Sequence, residues 1–242
     1  LHTGGGSGAG RAFSIPKYGF KTWGSLFTGR QLLALGTFVK HTRAVRDHAK
    51  RMGFGNDYIE AVSCYLAIGL DRLADRASTI ATWDVGYQKI RNTFGRFALP
   101  VTWDFCESVT VSSTTGSFQG GLEFIAKYVK HAMDASKESP AARALQLSAK
   151  KTVNEPLDLI VTDPPYYDAI PYSDLMDFFY VWLRRTLWDL TPEYNERFAE
   201  SLSPKWNHEN NDGELIDDES RFGGDKAKSK KNYEDGMRDA FK

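Results

Sequence analysis

Residues 157–185 read LDLIVTDPPYYDAIPYSDLMDFFYVWLRR, and the reading of this stretch governs the reading of the chain around it. Leu157, Ile160 and Val161 belong to a short apolar run rich in β-branched residues, with no charge after Asp158. That is the pattern of a strand buried on both faces of a parallel sheet. The run stops at Asp163-Pro164-Pro165-Tyr166. Consecutive prolines remove backbone donors and restrict φ, so a ladder cannot continue through them and the chain leaves as a stiff, extended turn. Asp163, preceding a proline, is also pushed out of the helical region. The pattern therefore predicts a carboxylate, a rigid pair of carbonyls and an aromatic ring at the carboxyl end of a strand, where open α/β sheets bind their ligands.

Such a turn suits a particular chemistry. The exocyclic amine of a nucleobase is a poor nucleophile because its lone pair is conjugated into the ring. Acceptors placed on both N–H groups, the Asp163 carboxylate and the Pro164 carbonyl, would stabilise the nitrogen as it becomes tetrahedral in attacking a methyl donor. Tyr166 would stack on the base, which must first be flipped out of a duplex to reach it.

Asp163-Pro164-Pro165-Tyr166 after an apolar run resembles the catalytic motif of S-adenosylmethionine-dependent amino-methyltransferases, whose DPPY form is typical of adenine-N6 DNA enzymes. The longer match is more specific. DPPYYDAIPYSDLMDFFYVWLRR (163–185), preceded by YGFKTWGSLFTGRQLLALGTF (18–38) and NTFGRFALPVTWDFCE (92–107), resembles large prokaryotic adenine-specific DNA methyltransferases carrying an uncharacterised N-terminal domain. The resemblance covers most of residues 18–242. It implies an α/β chain with a partial Rossmann-like methyltransferase fold and added helices, with Asp163, Pro164, Pro165 and Tyr166 as the catalytic residues. It also implies S-adenosylmethionine as cofactor and DNA as partner; the two cysteines, read as buried thiols of a reducing cytosol, give the expectation of a cytoplasmic location. RNA or a protein amide is the alternative substrate, and a non-catalytic nucleic-acid-binding subunit the alternative class. In the proteins it resembles, the cofactor motif lies upstream of the YGFKTW segment. With a start at Leu1 and an end at Ala240-Phe241-Lys242 within an apparent helix, the sequence reads as a piece of a longer protein that would bind S-adenosylmethionine poorly by itself.

The 242 residues carry 31 basic and 31 acidic side chains, a net charge of zero, so any phosphate contact must come from a local patch. Cys64 and Cys106 lie far apart without metal-ligand spacing and read as buried thiols. No apolar run reaches the length of a membrane span. TGGGSGAG (3–10) lacks the flanking strand and helix of a nucleotide-binding loop, so residues 1–17 are expected to be a flexible glycine-rich segment and 18–242 the catalytic portion.

Leu32, Leu33, Leu35, Phe38 and Val39 recur at roughly helical spacing after a capping Thr28, and the opposite face carries Lys40, Arg43, Arg46, His48, Lys50 and Arg51. A solvated face and a phosphate-tracking face are both open readings. A second amphipathic helix follows from Asp57 to about residue 77, joined to the first across Gly53-Phe54-Gly55-Asn56. The run 101–105 is a strand or an arm, with Trp103 and Phe105 assigned to the core and Asp104 placed by the resemblance near the reaction centre. Residues 122–133 read as a helix and 172–188 as a strongly aromatic helix that must be buried, with Ser173 or Asp174 as its cap. Residues 207–231, acidic first and basic later, are expected to form a mobile loop.

Overall fold

Helices supply the framework. In the computed structural model, which describes residues 13–95, 98–145, 147–151, 156–168, 170–202 and 206–242, helix accounts for 50% and strand for only 5%. Thr28 opens α1 (Gly29–Arg51) with a capping box: its hydroxyl accepts from the Gln31 amide at 3.3 Å, and the Gln31 side chain accepts from the Thr28 amide at 2.7 Å. Gly53, at φ +83°, turns the chain into α2 (Asn56–Ala74), completing the helical hairpin read from the sequence. α2 packs on α1, on α3 (Phe118–Ala135) and on α4 (Tyr172–Leu187). Glycines set the α2–α3 approach: a Cβ on Gly69 would stand 2.6 Å from Leu122 Cδ2, and one on Gly121 would stand 3.4 Å from Arg72 Cδ.

The core gathers around Phe178 of α4, which is fully buried. Its ring meets Trp23 edge-on at 5.7 Å and Phe94 edge-on at 5.2 Å, and it stacks with Phe27 at 6.0 Å. Trp23 and Leu26 come from a short 3-10 helix, Trp23–Leu26, and Ile15 from another, Ile15–Tyr18. The aromatic helix is thus covered by helices and an N-terminal strap rather than by a sheet. Phe13 and Ile15 correct the flexible-segment expectation for 13–17, because the glycine run ends at Gly10 and apolar side chains then join the core. Residues 1–12, with TGGGSGAG, lie outside the described residues.

The strands are short antiparallel pairs. β1 (Trp83–Asp84) pairs with β2 (Lys89–Ile90), and β3 (Trp206–Asn207) with β4 (Asp212–Gly213). The strand expected at 157–161 is not formed: the run has no regular secondary structure, with a bend at Asp158, and Leu157, Leu159, Ile160 and Val161 are 53–85% exposed. A strand exists only through its ladder, and among the described residues none pairs with this run. Trp103 is also corrected, being 87% exposed, with Tyr18 edge-on to it at 6.0 Å.

The segment 207–231, expected to be mobile, is built. It contains most of the β3–β4 hairpin, a 3-10 helix (Glu219–Phe222) and the start of α6 (Lys226–Ala240), and a further short helix, α5 (Pro192–Arg197), precedes it. Its low apolar content hid a different glue, a buried ion cluster described below. Among the described residues no helix is long and apolar enough to cross a membrane.

Two substitutions separate buried from exposed hydrophobics. Phe178→Ala should cost about 3–5 kcal/mol in denaturant melts. Ile160→Lys, at a side chain with no packing to lose, should stay within about 0.5 kcal/mol of the parent; a large loss there would place residues 157–161 in the core.

Candidate functional site

The Asp163–Tyr166 turn is fixed from its far side. Pro165 O accepts the Tyr167 amide at 3.1 Å and the Tyr233 hydroxyl of α6 at 3.0 Å, while Tyr167 O accepts the Asp217 amide at 3.2 Å. Tyr167 takes a left-handed φ of +51°, which closes the turn, and its ring meets Tyr233 edge-on at 5.0 Å. A hydrogen bond to Asp217, with the surrounding carboxylates, raises the Tyr167 phenol above its ordinary pKa. The anchoring thus goes through the backbone of Pro165 and Tyr167. Asp163, Pro164 and Tyr166 are left exposed and Pro165 half-buried.

The segment that holds the turn is itself tied to the start of α4. Glu214 accepts from the Ser173 amide at 2.9 Å and from its hydroxyl at 2.6 Å, so the first turn of α4 is capped from a distant residue rather than by Ser173 or Asp174. Arg221, buried, donates to Glu214 at 2.6 Å and to Asp174 at 3.2 Å, with Asp218 at 3.7 Å. Asp174 and Asp218 are themselves almost wholly buried. Motif turn, helix start and C-terminal segment therefore form one mechanical unit.

The other end of α4 accounts for part of the basic face of α1. Arg46, buried, donates to the carbonyls of Thr186 and of Trp188, the latter at 3.0 Å, and burial lowers its pKa. Arg43 donates to Arg185 O at 3.1 Å and pairs with Asp189 at 3.4 Å. These residues satisfy the orphan carbonyls of a helix C-terminus, where cations are favoured. Arg184 donates to Phe198 O at 2.7 Å and lies over the Trp188 ring. Lys40, His41, His48, Lys50 and Arg51 remain exposed. Cys64 and Cys106 are half-buried free thiols.

A polar feature that the sequence reading passed over lies on α2. Asp71 and Asp75, four residues apart, are buried, and each has an oxygen without a hydrogen-bond partner. Burial, with Asp75 adding like charge, raises Asp71 to about 8. Burial raises Asp75 to about 6 against the opposing effects of Arg76 and of the Asn92 amide. The sequence signal was available: carboxylates at helical spacing among Leu70, Leu73 and Ala74, on the face an amphipathic helix keeps apolar.

The cofactor implied by the resemblance needs a glycine turn between a strand and a helix N-terminus. Among the described residues the strands are two-residue antiparallel pieces and none leads into such a turn, so these residues do not fit a cradle for S-adenosylmethionine. Comparison with protein-family models, with curated proteins and with solved structures finds no match.

Tyr233→Phe should cost about 0.5–1.5 kcal/mol by removing the donor to Pro165 O. Arg221→Ala should cost about 3–5 kcal/mol by stranding buried carboxylates, and should expose 206–240 to limited proteolysis. Survival of that segment in the Arg221 variant would show that the ion cluster does not hold it.

Asp71 also sets a pH dependence. Its folded pKa lies near 8 against about 4 in an unfolded chain, so between these values the folded state holds a proton that the unfolded state has lost. Stability should therefore fall as pH rises from about 4 to 8, and Asp71→Asn should flatten that fall and raise the melting temperature at pH 8.

Proposed function

We propose that residues 163–166 form the base-binding half of an adenine-N6 DNA methyltransferase site. In this reading the helices described above belong to a Rossmann-like methyltransferase domain. The observation that carries the proposal is the exposure of Asp163 and Tyr166 on a turn whose backbone is clamped by Tyr233 and Asp217. A reacting group must be open to its substrate yet held in one place, because misplacement of acceptors by a fraction of an ångström forfeits transition-state stabilisation.

In this proposal a flipped adenine stacks on Tyr166. Its amine donates one hydrogen bond to the Asp163 carboxylate and one to the Pro164 carbonyl, and these strengthen as the nitrogen becomes tetrahedral. The methylated amine is acidic enough to lose its proton without a strong general base. Pro165 keeps the two acceptors rigid. S-adenosylmethionine is the donor the resemblance implies; this chain supplies the base pocket.

Labelled methyl transfer by the whole protein, with duplex DNA and structured RNA offered separately, tests the assignment. DNA should accept label at adenine N6, and Asp163→Ala should abolish transfer with little change in melting temperature. Tyr166→Ala should weaken base binding by about 1–3 kcal/mol, and Tyr166→Phe only slightly. Wild-type transfer rates in the Asp163 variant would remove the catalytic assignment.

A further inference from the structure

The strongest polar anomaly lies away from residues 163–166. Between α2 and α3 opens a cleft of about 520 Å³, a volume suited to a small molecule. Tyr65, Phe124, Tyr128 and Phe179 supply aromatic walls, and Asp71 and Asp75 also line it. Asp71 is only 9% exposed and has a buried oxygen without a hydrogen-bond partner. Asp75, Arg72, Arg76 and Asn92 line the cleft too, yet none of them satisfies that oxygen; a buried, unmatched carboxylate is costly, and that cost is recovered when a ligand supplies the missing donor and charge.

From this arrangement we infer that the cleft binds a small organic cation, a primary or secondary ammonium carried on an apolar or aromatic body. The ammonium N–H groups would satisfy Asp71, and the aromatic faces would attract the charge while their area covers the body. Phe124 already shows this affinity, with the Arg72 guanidinium 4.4 Å from its centroid. An anion would meet the two carboxylates, while Arg72 and Arg76, which also line the cleft, are engaged within the chain, Arg72 over the Phe124 ring and Arg76 beside Asp75 with a hydrogen bond to Arg72 O at 3.4 Å. A divalent metal ion needs more oxygen ligands than two carboxylates supply, and no group of three metal-ligating side chains occurs among the described residues. The inference is independent of the methyltransferase reading and uses none of residues 163–166.

Binding should be linked to protons. The ionisable groups facing Asp71 are Arg72 and Tyr65 on α2, Asp75 and Arg76 just past its end, and Tyr128 on α3; Phe179 of α4 and Asn92 bring no charge. A bound cation favours the ionised carboxylate, so affinity should rise with pH as Asp71 is freed of the proton that burial imposes.

Titration of the chain with 2-phenylethylammonium, beside neutral 2-phenylethanol and anionic 3-phenylpropionate, tests this by calorimetry and amide chemical shifts. The cation should bind about tenfold or more tightly than the alcohol, and tighten between about pH 6 and 8.5. Amide shifts should map to α2 and α3. Asp71→Asn should abolish the preference for the cation while leaving the alcohol's affinity unchanged. If that variant does not fold, Tyr128→Ala, at an exposed rim position, should weaken the cation about threefold or more. Absent binding, equal affinity for alcohol and cation, stronger binding of the anion or of neutral 2-aminopyrimidine, or a cation preference that survives Asp71→Asn would each overturn the inference.

Discussion

Burial of Phe178 is the constraint on which the rest depends. The ring is enclosed by Trp23, Phe27 and Phe94, which come from segments far apart in sequence, so α4 cannot move without opening the core. Both ends of α4 are then secured by groups outside the helix. Glu214 and Arg221 hold its start, and Arg43 and Arg46 hold its end. The Asp163–Tyr166 turn lies a few residues before that secured start and inherits its position. Packing and polar capping thus act in series, the first giving α4 its place and the second transmitting that place to the motif.

Buried charge recurs with two different outcomes. Around Arg221 the carboxylates of Asp174, Glu214 and Asp218 meet a guanidinium, so the desolvation of each ion is offset by the others. Such a cluster adds little net stability against an apolar replacement but makes loss of any one member expensive, which suits a joint between segments. On α2 the carboxylates of Asp71 and Asp75 lack that balance, and burial raises both pKa values. The contrast separates buried charge that is matched within the chain from buried charge that destabilises the fold as pH rises.

The motif turn shows how anchoring and exposure are reconciled. Tyr233 and Asp217 hold the turn through the backbone of Pro165 and Tyr167 and through the Tyr167 side chain, so neither consumes the Asp163 carboxylate or the Tyr166 ring. A clamp on the side chains of Asp163 and Tyr166 would have held the turn equally well and covered those groups.

Much of the local structure was legible in the sequence. The Thr28 cap, the glycine-linked hairpin of α1 and α2, the α3 helix and the aromatic α4 follow from spacing and end signals, which depend on neighbours within a few residues. The composition of the turn was equally local, as two prolines permit little else. The partners could not be read. Whether 157–161 becomes a strand depends on a ladder partner, and no property of Leu159 or Ile160 reports one. Residues 207–231 look like a polar linker because their order rests on Arg221 meeting carboxylates at positions 174, 214 and 218, a coincidence in space rather than in sequence. Arg46 reads as a solvated cation until the carbonyls of Thr186 and Trp188 arrive beside it. Sequence by itself determined the helices, the Thr28 cap and the composition of the turn, because those energies are local; only tertiary structure decided that Glu214 caps α4, which charges are buried and which hydrophobics are exposed, because desolvation is set by what the rest of the chain places alongside.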